Sequence, residues 1–107
     1  MKLELDVFSG RPNPSWDLSP EEEAELARRL TDLRPVEQAP PDPGLGYRGF
    51  LLSGPSRQVR VYQGVLTITE RGATRHYTDV HRIEAWLAGQ AKARGFGDLV
   101  AGIAGQD

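Results

Sequence analysis

The chain has 107 residues, of which 38% are hydrophobic and 26% are charged, and it contains no cysteine. This length fits a single domain with one modest core. The lack of cysteine excludes a disulfide scaffold, a zinc ribbon, an iron–sulfur cluster and a thiol nucleophile. The net charge of −2 is too small to imply a nucleic-acid or membrane partner, which leaves nucleic-acid binding as a third and weakest hypothesis, and no apolar run approaches the ~20 residues of a membrane span. The N-terminus lacks the features of a signal peptide, so we expect a cytoplasmic protein.

The charges are distributed unevenly along the chain. Residues 17–37 carry seven acidic side chains against three arginines, whereas residues 44–94 carry eight basic side chains against three acidic ones. The basic residues comprise eleven arginines and two lysines, and the planar guanidinium of arginine suits carboxylates and phosphates. The basic part is therefore a candidate anion-binding surface, although the codon usage of a GC-rich genome is the simpler explanation.

The N-terminal segment alternates apolar and polar side chains, which predicts a half-buried strand. Its apolar positions are Met1, Leu3, Leu5 and Val7. The stretch 9–14, Ser-Gly-Arg-Pro-Asn-Pro, is dense in turn-forming residues and interrupts the strand. Residues 15–18 are then expected to return as a short antiparallel strand.

An amphipathic helix is predicted to begin at Ser19. Ser19 and Glu22 match a capping box, and Pro20 stands at the first helical position, where it loses no hydrogen bond. An apolar stripe follows, formed by Leu26, Leu30 and Leu33. Pro35 is expected to end this helix, and the proline- and glycine-rich residues 36–46 predict an irregular connector.

The second half of the chain predicts a meander of about four strands followed by a second helix. The alternating segments are 49–53, 58–62, 66–69 and 73–77, with turns at 54–56, 63–64 and 71–72. Thr78 or Asp79 is expected to cap the helix, and Gly95 is expected to end it. Its buried stripe consists of Val80, Ile83 and Leu87.

These elements together predict an α+β fold. An antiparallel sheet, made of the N-terminal hairpin and the meander, carries two amphipathic helices packed on one face. We expect residues 1–95 to form a single domain and residues 96–107 to form a loosely docked C-terminal tail. An open edge strand of the sheet would also permit a homodimer.

The stretch 9–14 is the leading candidate for a binding site. Pro12 and Pro14 restrict their own backbone angles and those of the residues before them, which makes the loop stiff. A stiff loop loses little entropy on binding, and tryptophan and arginine are common in interface hot spots. We predict contact with a partner protein through Ser9, Gly10, Arg11, Pro12, Asn13 and Trp16. In the alternative interpretation, proline and asparagine only form a turn and Trp16 belongs to the core.

A second hypothesis places function on an arginine- and tyrosine-rich face of the sheet. The chain would then be a small enzyme or accessory protein that holds a small anionic substrate. The candidate residues on that face are Asp6, Arg60, Tyr62, Arg75 and His76. Solvated strand positions are the simpler interpretation of the same residues.

No motif in the sequence names a reaction. A carboxylate at Asp6 near an arginine is more typical of a structural ion pair than of a general base. His76 and His81, with Asp79 between them, do not have the spacing of a helical metal site, and we interpret them as solvated side chains. The sequence also lacks a glycine-rich phosphate loop and a nucleophile elbow. We therefore predict no catalytic residue, no metal and no cofactor.

The order of elements resembles emfourin-like proteins, which are small bacterial inhibitors of thermolysin-type metallopeptidases. The resemblance is carried by the first strand running into Ser9-Gly10, the helix start at residues 18–22, the Arg60/Tyr62 strand and the closing segment 83–87. After the first strand such proteins have Ser-Gly-Gly-Phe, whereas this chain continues from Ser9-Gly10 into Arg-Pro-Asn-Pro. The resemblance implies the same α+β fold and an inhibitor-like function in which a loop meets a peptidase.

Overall fold

The computed structural model describes residues 1–8, 12–38 and 47–100. Its elements are β1 (Lys2–Leu5), β2 (Ser15–Asp17), α1 (Pro20–Arg29), β3 (Arg34–Val36), β4 (Phe50–Ser53), β5 (Arg57–Tyr62), β6 (Val65–Glu70), β7 (Ala73–Thr78), α2 (Ile83–Ala93) and α3 (Gly97–Val100). Within these residues the strands form one seven-stranded antiparallel sheet in the order β2-β1-β4-β5-β6-β7-β3. The predicted α+β class is confirmed.

One face of the sheet forms the core because the alternation of each strand turns its apolar residues to the same side. Leu5, Phe50, Val61 and Leu66 are register partners across β1, β4, β5 and β6, and all are fully buried. The helices contribute to the same cluster through Leu26 of α1, Ile83, Leu87, Ala88 and Ala91 of α2, and Val100 of α3. The helices therefore pack on this face.

The first helix begins as predicted and ends early. The Ser19 hydroxyl accepts a hydrogen bond from the Glu22 amide at 3.1 Å, and the Glu22 carboxylate accepts one from the Ser19 amide at 2.8 Å. The chain leaves the helix after Arg29 and then forms β3, which pairs with β7. Pro35 lies inside β3 at the edge of the sheet, where a residue without an N–H is tolerated. The predicted helix end at Pro35 and the irregular start of the connector are thus wrong.

Two of the predicted turns have the left-handed geometry that tight hairpins require. The φ angles are +50° and +77° at Gln63 and Gly64, and +53° and +78° at Arg71 and Gly72. Two adjacent left-handed residues match the right-handed twist of the flanking strands. The turns therefore align β5, β6 and β7 without a shift, and Arg60, Thr67 and His76 become neighbours on the face opposite the core.

The end of the chain is more tightly packed than predicted. The second helix begins at Ile83, and the Asp79 carboxylate accepts hydrogen bonds from the Ile83 and Glu84 amides at 2.7 and 2.8 Å. Val100 in α3 is fully buried, so the docked part of the domain extends past the predicted boundary at residue 95. Residues 101–107 of the predicted tail lie outside the described residues, as do residues 39–46 of the predicted connector.

Candidate functional site

A polar cluster lies where β1 ends and the chain enters the stretch 9–14. We call it the Asp6 cluster, and it consists of Glu4, Asp6, Asn13, Arg48 and Arg60. The backbone pairing of the sheet continues past β1, because the Asp6 amide donates to the Gly49 carbonyl at 2.9 Å and the Arg48 amide donates to the Asp6 carbonyl at 2.7 Å. This pairing brings Arg48 alongside the Asp6 carboxylate.

Gly49 makes this close approach possible. Its φ of +101° is a conformation that side-chain-bearing residues rarely adopt. A Cβ atom at this position would stand 2.4 Å from the Val61 carbonyl oxygen and 2.9 Å from the Tyr62 Cβ. The glycine therefore allows the chain that carries Arg48 to lie directly against β5, which carries Arg60.

Two arginines hold the Asp6 carboxylate. Arg48 donates to Oδ1 through Nη2 at 2.9 Å and through Nε at 3.2 Å, and Arg60 donates to Oδ2 through Nη1 at 2.9 Å. The Asp6 side chain is only 14% exposed. Partial burial raises the pKa of Asp6, but the hydrogen bonds and positive charges of Arg60 and Arg48 outweigh it and hold the pKa below its ordinary value. The carboxylate is thus ionised at neutral pH and is a weak proton acceptor.

Asn13 closes the base of the loop. Its Oδ1 accepts hydrogen bonds from the Val7 amide at 3.0 Å and the Phe8 amide at 2.7 Å. Its Nδ2 donates to Glu4 Oε2 at 2.8 Å and to Asp6 Oδ1 at 3.2 Å. The amide side chain is therefore fully used inside the protein, joining the chain on both sides of residues 9–11.

The chain leading into that loop is held at two further points. The Phe8 carbonyl accepts a hydrogen bond from Arg48 Nη2 at 2.7 Å. The Leu5 amide donates to the Pro14 carbonyl at 2.9 Å. The two flanks of residues 9–11 are thus fixed to each other and to the sheet.

Tyr47, which precedes Arg48, is itself anchored to α2. Its hydroxyl donates to Glu84 Oε2 at 2.5 Å, and the buried Glu84 carboxylate also accepts the Gln63 and Gly64 amides at 3.1 and 3.0 Å. Burial, the hydrogen bond to Glu84 and the charge of that carboxylate all raise the pKa of Tyr47, which keeps the hydroxyl protonated as a donor. The position of Arg48 is therefore tied to the helix layer.

The predicted loop residues fall into three groups. Ser9, Gly10 and Arg11 lie outside the described residues, Pro12 is exposed, and Asn13 points inward to the Asp6 cluster. Trp16 packs against the core: its ring stacks on Phe96 at 5.9 Å between centroids and 11° between planes. The Arg94 guanidinium lies 4.9 Å from the centre of the Trp16 ring. The packing of Trp16 thus agrees with the alternative interpretation, in which this residue belongs to the core.

The second predicted set is only partly brought together. Asp6 and Arg60 are in direct contact, and the register places His76 two strands from Arg60 on the same face. Tyr62 is 7% exposed and its ring lies 5.6 Å from that of Tyr47. Arg75 is the register partner of Ile68, so it projects from the core side of the sheet. The expectation that Arg75 shares a face with Arg60 is wrong.

The two histidines make separate local contacts. His76 Nδ1 lies 3.0 Å from Thr67 Oγ1, and His81 Nε2 lies 2.8 Å from the Thr31 carbonyl oxygen. Among the residues that the structure describes, no group of three or more histidines and carboxylates is arranged to hold a metal ion.

Sequence reasoning did not select Arg48, although this residue completes the Asp6 cluster. It stands between a connector and a strand in the sequence, and its only local signal is the glycine that follows it.

Over the described parts of the chain, no helix has the length and apolar character needed to cross a membrane. Comparison with protein-family models, curated proteins and solved structures finds no match for this chain.

Proposed function

We propose that this protein is a non-catalytic protein-interaction domain that presents residues 9–11 to a partner protein. The observation that carries the proposal is the closure of both flanks of this segment by the Asp6 cluster. Asn13 and Arg48 together bind the backbone of Val7 and Phe8, immediately before the segment. A loop whose base is already ordered loses less entropy when it binds.

The chemistry of the cluster supports presentation rather than reaction. Asp6 carries one negative charge against the positive charges of Arg48 and Arg60, and its oxygens accept hydrogen bonds from both. A carboxylate with a lowered pKa and bound oxygens is poorly suited to take a proton from a substrate. The cluster is suited to holding the backbone in place.

The resemblance to emfourin-like proteins suggests the class of partner. It implies that the partner is a thermolysin-type metallopeptidase and that the loop enters the active-site cleft. In this chain Arg11 stands at the position of the second glycine of the family motif Ser-Gly-Gly-Phe, and we assign the contact with the peptidase to it. We include a cytoplasmic location in the proposal, and fractionation of the host cells tests it.

Inhibition of a purified thermolysin-type metallopeptidase tests the proposal directly. We expect the wild-type protein to inhibit peptide hydrolysis and Arg11→Ala to weaken inhibition about tenfold, because hot-spot arginines contribute this much to an interface. Asn13→Ala should weaken it by about threefold to tenfold, since the flanks that Asn13 joins would have to be ordered on binding. Arg34→Ala, a change of an exposed arginine on β3, is the matched control and should leave inhibition unchanged.

A pull-down from the host lysate separates the two parts of the proposal. Loss of a specific partner in an Arg11→Ala/Asn13→Ala double variant that remains folded would support the loop, whatever the class of the partner. Retention of every partner by that variant would overturn the role of the loop. Absence of inhibition by the wild-type protein at stoichiometric concentration would overturn the metallopeptidase assignment.

A further inference from the structure

A second surface lies at the far corner of the sheet, at the tip of the β6–β7 hairpin. We call it the hairpin groove. It has a volume of about 390 Å³ and is lined by Ile68, Glu70, Arg71, Ala73, Arg75 and Tyr77. The Asp6 cluster lies where β1 ends, whereas this groove lies where β6 turns into β7, at the opposite end of the strands.

The floor of the groove is an apolar extension of the core face. Tyr77 is the register partner of the buried Leu66, and Ile68 that of the buried Val59. Both Ile68 and Tyr77 are partly buried and pack against the core cluster. By contrast, every residue from 69 to 75 is exposed, so the tip of the hairpin projects beyond the packed core.

The rim of the groove is positively charged. Arg71 and Arg75 line it, and within the described parts of the chain neither guanidinium has a hydrogen bond or an ion pair. Glu70 is the acidic residue of the lining, and the register places Arg57 across from it on the same face. The groove thus offers two unpaired guanidinium groups to an anionic ligand, and guanidinium groups bind carboxylates well.

The groove also borders an open strand edge. Strand β3 covers β7 only from His76 to Thr78, and no other described segment pairs with residues 73–75 on that side. Across a tight hairpin, Glu70 and Ala73 form the closing pair, so the alternation of antiparallel hydrogen bonds directs the Thr74 N–H and C=O away from β6. An extended chain can pair with these groups in line with β3.

We propose that the hairpin groove binds an extended acidic peptide segment of a partner protein, which adds to the edge of β7 beside β3. Thr74 supplies the backbone hydrogen bonds, and Ile68 and Tyr77 receive an apolar side chain. Arg71 and Arg75 bind the carboxylates of the segment. A small molecule fits this site less well, because the lining comes from one hairpin, whereas small-ligand pockets bury most of the ligand surface.

The first experiment uses a fluorescein-labelled peptide, Glu-Thr-Val-Thr-Glu, whose two glutamates and valine lie on one face of an extended strand, and measures fluorescence anisotropy with the full chain. We expect saturable binding that weakens as salt is raised from 50 to 300 mM, since carboxylate–arginine contacts are screened. The matched peptide Lys-Thr-Val-Thr-Lys should not bind. Equal binding of the two peptides, or no saturable binding of the acidic one, would overturn the proposal.

Variants then locate the site. Arg71→Glu/Arg75→Glu should weaken binding of the acidic peptide at least tenfold, whereas Lys92→Glu, a charge reversal on exposed α2 surface, should change it less than twofold. Thermal melts of each variant establish that it is folded. A folded double variant that binds as well as the wild type would overturn the proposal.

Strand addition is tested through the peptide backbone rather than through the protein. A version of the acidic peptide with N-methylated threonines keeps the charges and loses the amide donors that face Thr74, so it should bind at least tenfold more weakly. Amide chemical-shift changes on titration should concentrate at residues 73–75. Shift changes elsewhere, unchanged affinity of the methylated peptide, or a stable homodimer whose interface covers the groove would each overturn the proposal.

Discussion

The Asp6 cluster and the hairpin groove use the same residue type in opposite ways. In the cluster, Arg48 and Arg60 are bound to a carboxylate and to backbone carbonyls, whereas Arg71 and Arg75 at the groove have no such partner among the described residues. A paired guanidinium holds a structure together, and an unpaired one remains available to a ligand. Composition alone therefore cannot tell which arginines of an arginine-rich chain recognise anions.

The two regions also differ in their glycines, which gives the largest effect that we expect. Gly49 has φ +101° and lies against β5, whereas Gly72 has φ +78° and has no heavy atom within 4 Å of an added Cβ. Gly49→Ala combines backbone strain with a clash and should lower the free energy of unfolding by about 4 kcal/mol. Gly72→Ala adds strain alone and should cost about 1 kcal/mol.

Urea denaturation of the two glycine variants measures this difference. The paired design controls for the loss of glycine flexibility, which is common to both substitutions. Equal destabilisation by the two variants would show that the chain at residues 47–49 tolerates displacement from β5. The role of Gly49 in positioning Arg48 would then be wrong.

Asp6→Asn is the second test, and it removes the charge that the two arginines bind. We expect the free energy of unfolding at pH 7 to fall by about 2 kcal/mol, because Arg48 and Arg60 keep their partly buried charges without the carboxylate. The matched change is Glu70→Gln in the hairpin groove. Glu70 is exposed, so this substitution should change stability by less than about 0.5 kcal/mol.

The pH dependence of stability gives the sign of the Asp6 contribution. The folded-state pKa of Asp6 lies below its value in the unfolded chain, which is about 3.9. The stabilisation is therefore complete above about pH 5 and is lost as the pH falls through the lowered folded-state pKa. The difference in the free energy of unfolding between wild type and Asp6→Asn should therefore shrink as the pH falls below about 5, as measured by urea titrations. A difference that stays constant down to pH 2 would contradict the ion-pair account.

The smallest effect is expected at the hairpin groove. Arg71→Glu/Arg75→Glu should change the free energy of unfolding by less than about 0.5 kcal/mol, because both side chains are exposed and make no internal bond. Urea denaturation at pH 7 measures this change. A loss of 2 kcal/mol or more would show that these arginines are structural, and the contrast between the two regions would disappear.

Much of the fold follows from local sequence patterns. The capping box at Ser19 and the two left-handed turns at residues 63–64 and 71–72 depend on nearest neighbours along the chain, and each appears as predicted. The same turns set the register of β5, β6 and β7. When strand positions are numbered outward from these turns, Arg60 and His76 fall on one face of the sheet and Arg75 falls on the other. The sequence alone could therefore have assigned Arg75 to the correct face.

The candidate site was predictable only in part. The interruption at residues 9–14 was visible because prolines and a glycine concentrate there. Arg48 was not visible, since it lies 42 positions from Asp6 and joins it only through the pairing of β1 with β4. The inward orientation of Asn13 was likewise hidden, because the same residue type suits both a solvated turn and a bridge between strands.

The sequence by itself determined the α+β class, the core-facing side of β1, β5 and β6 and the start of the first helix. These features follow from the two- and 3.6-residue periods and from capping chemistry, which act over a few residues. Only the tertiary structure decided that residues 34–36 join the sheet as an edge strand and that Val100 enters the core. It also decided which arginines are paired. Such contacts join positions distant in the chain, and their free energies depend on burial and geometry that no local pattern encodes.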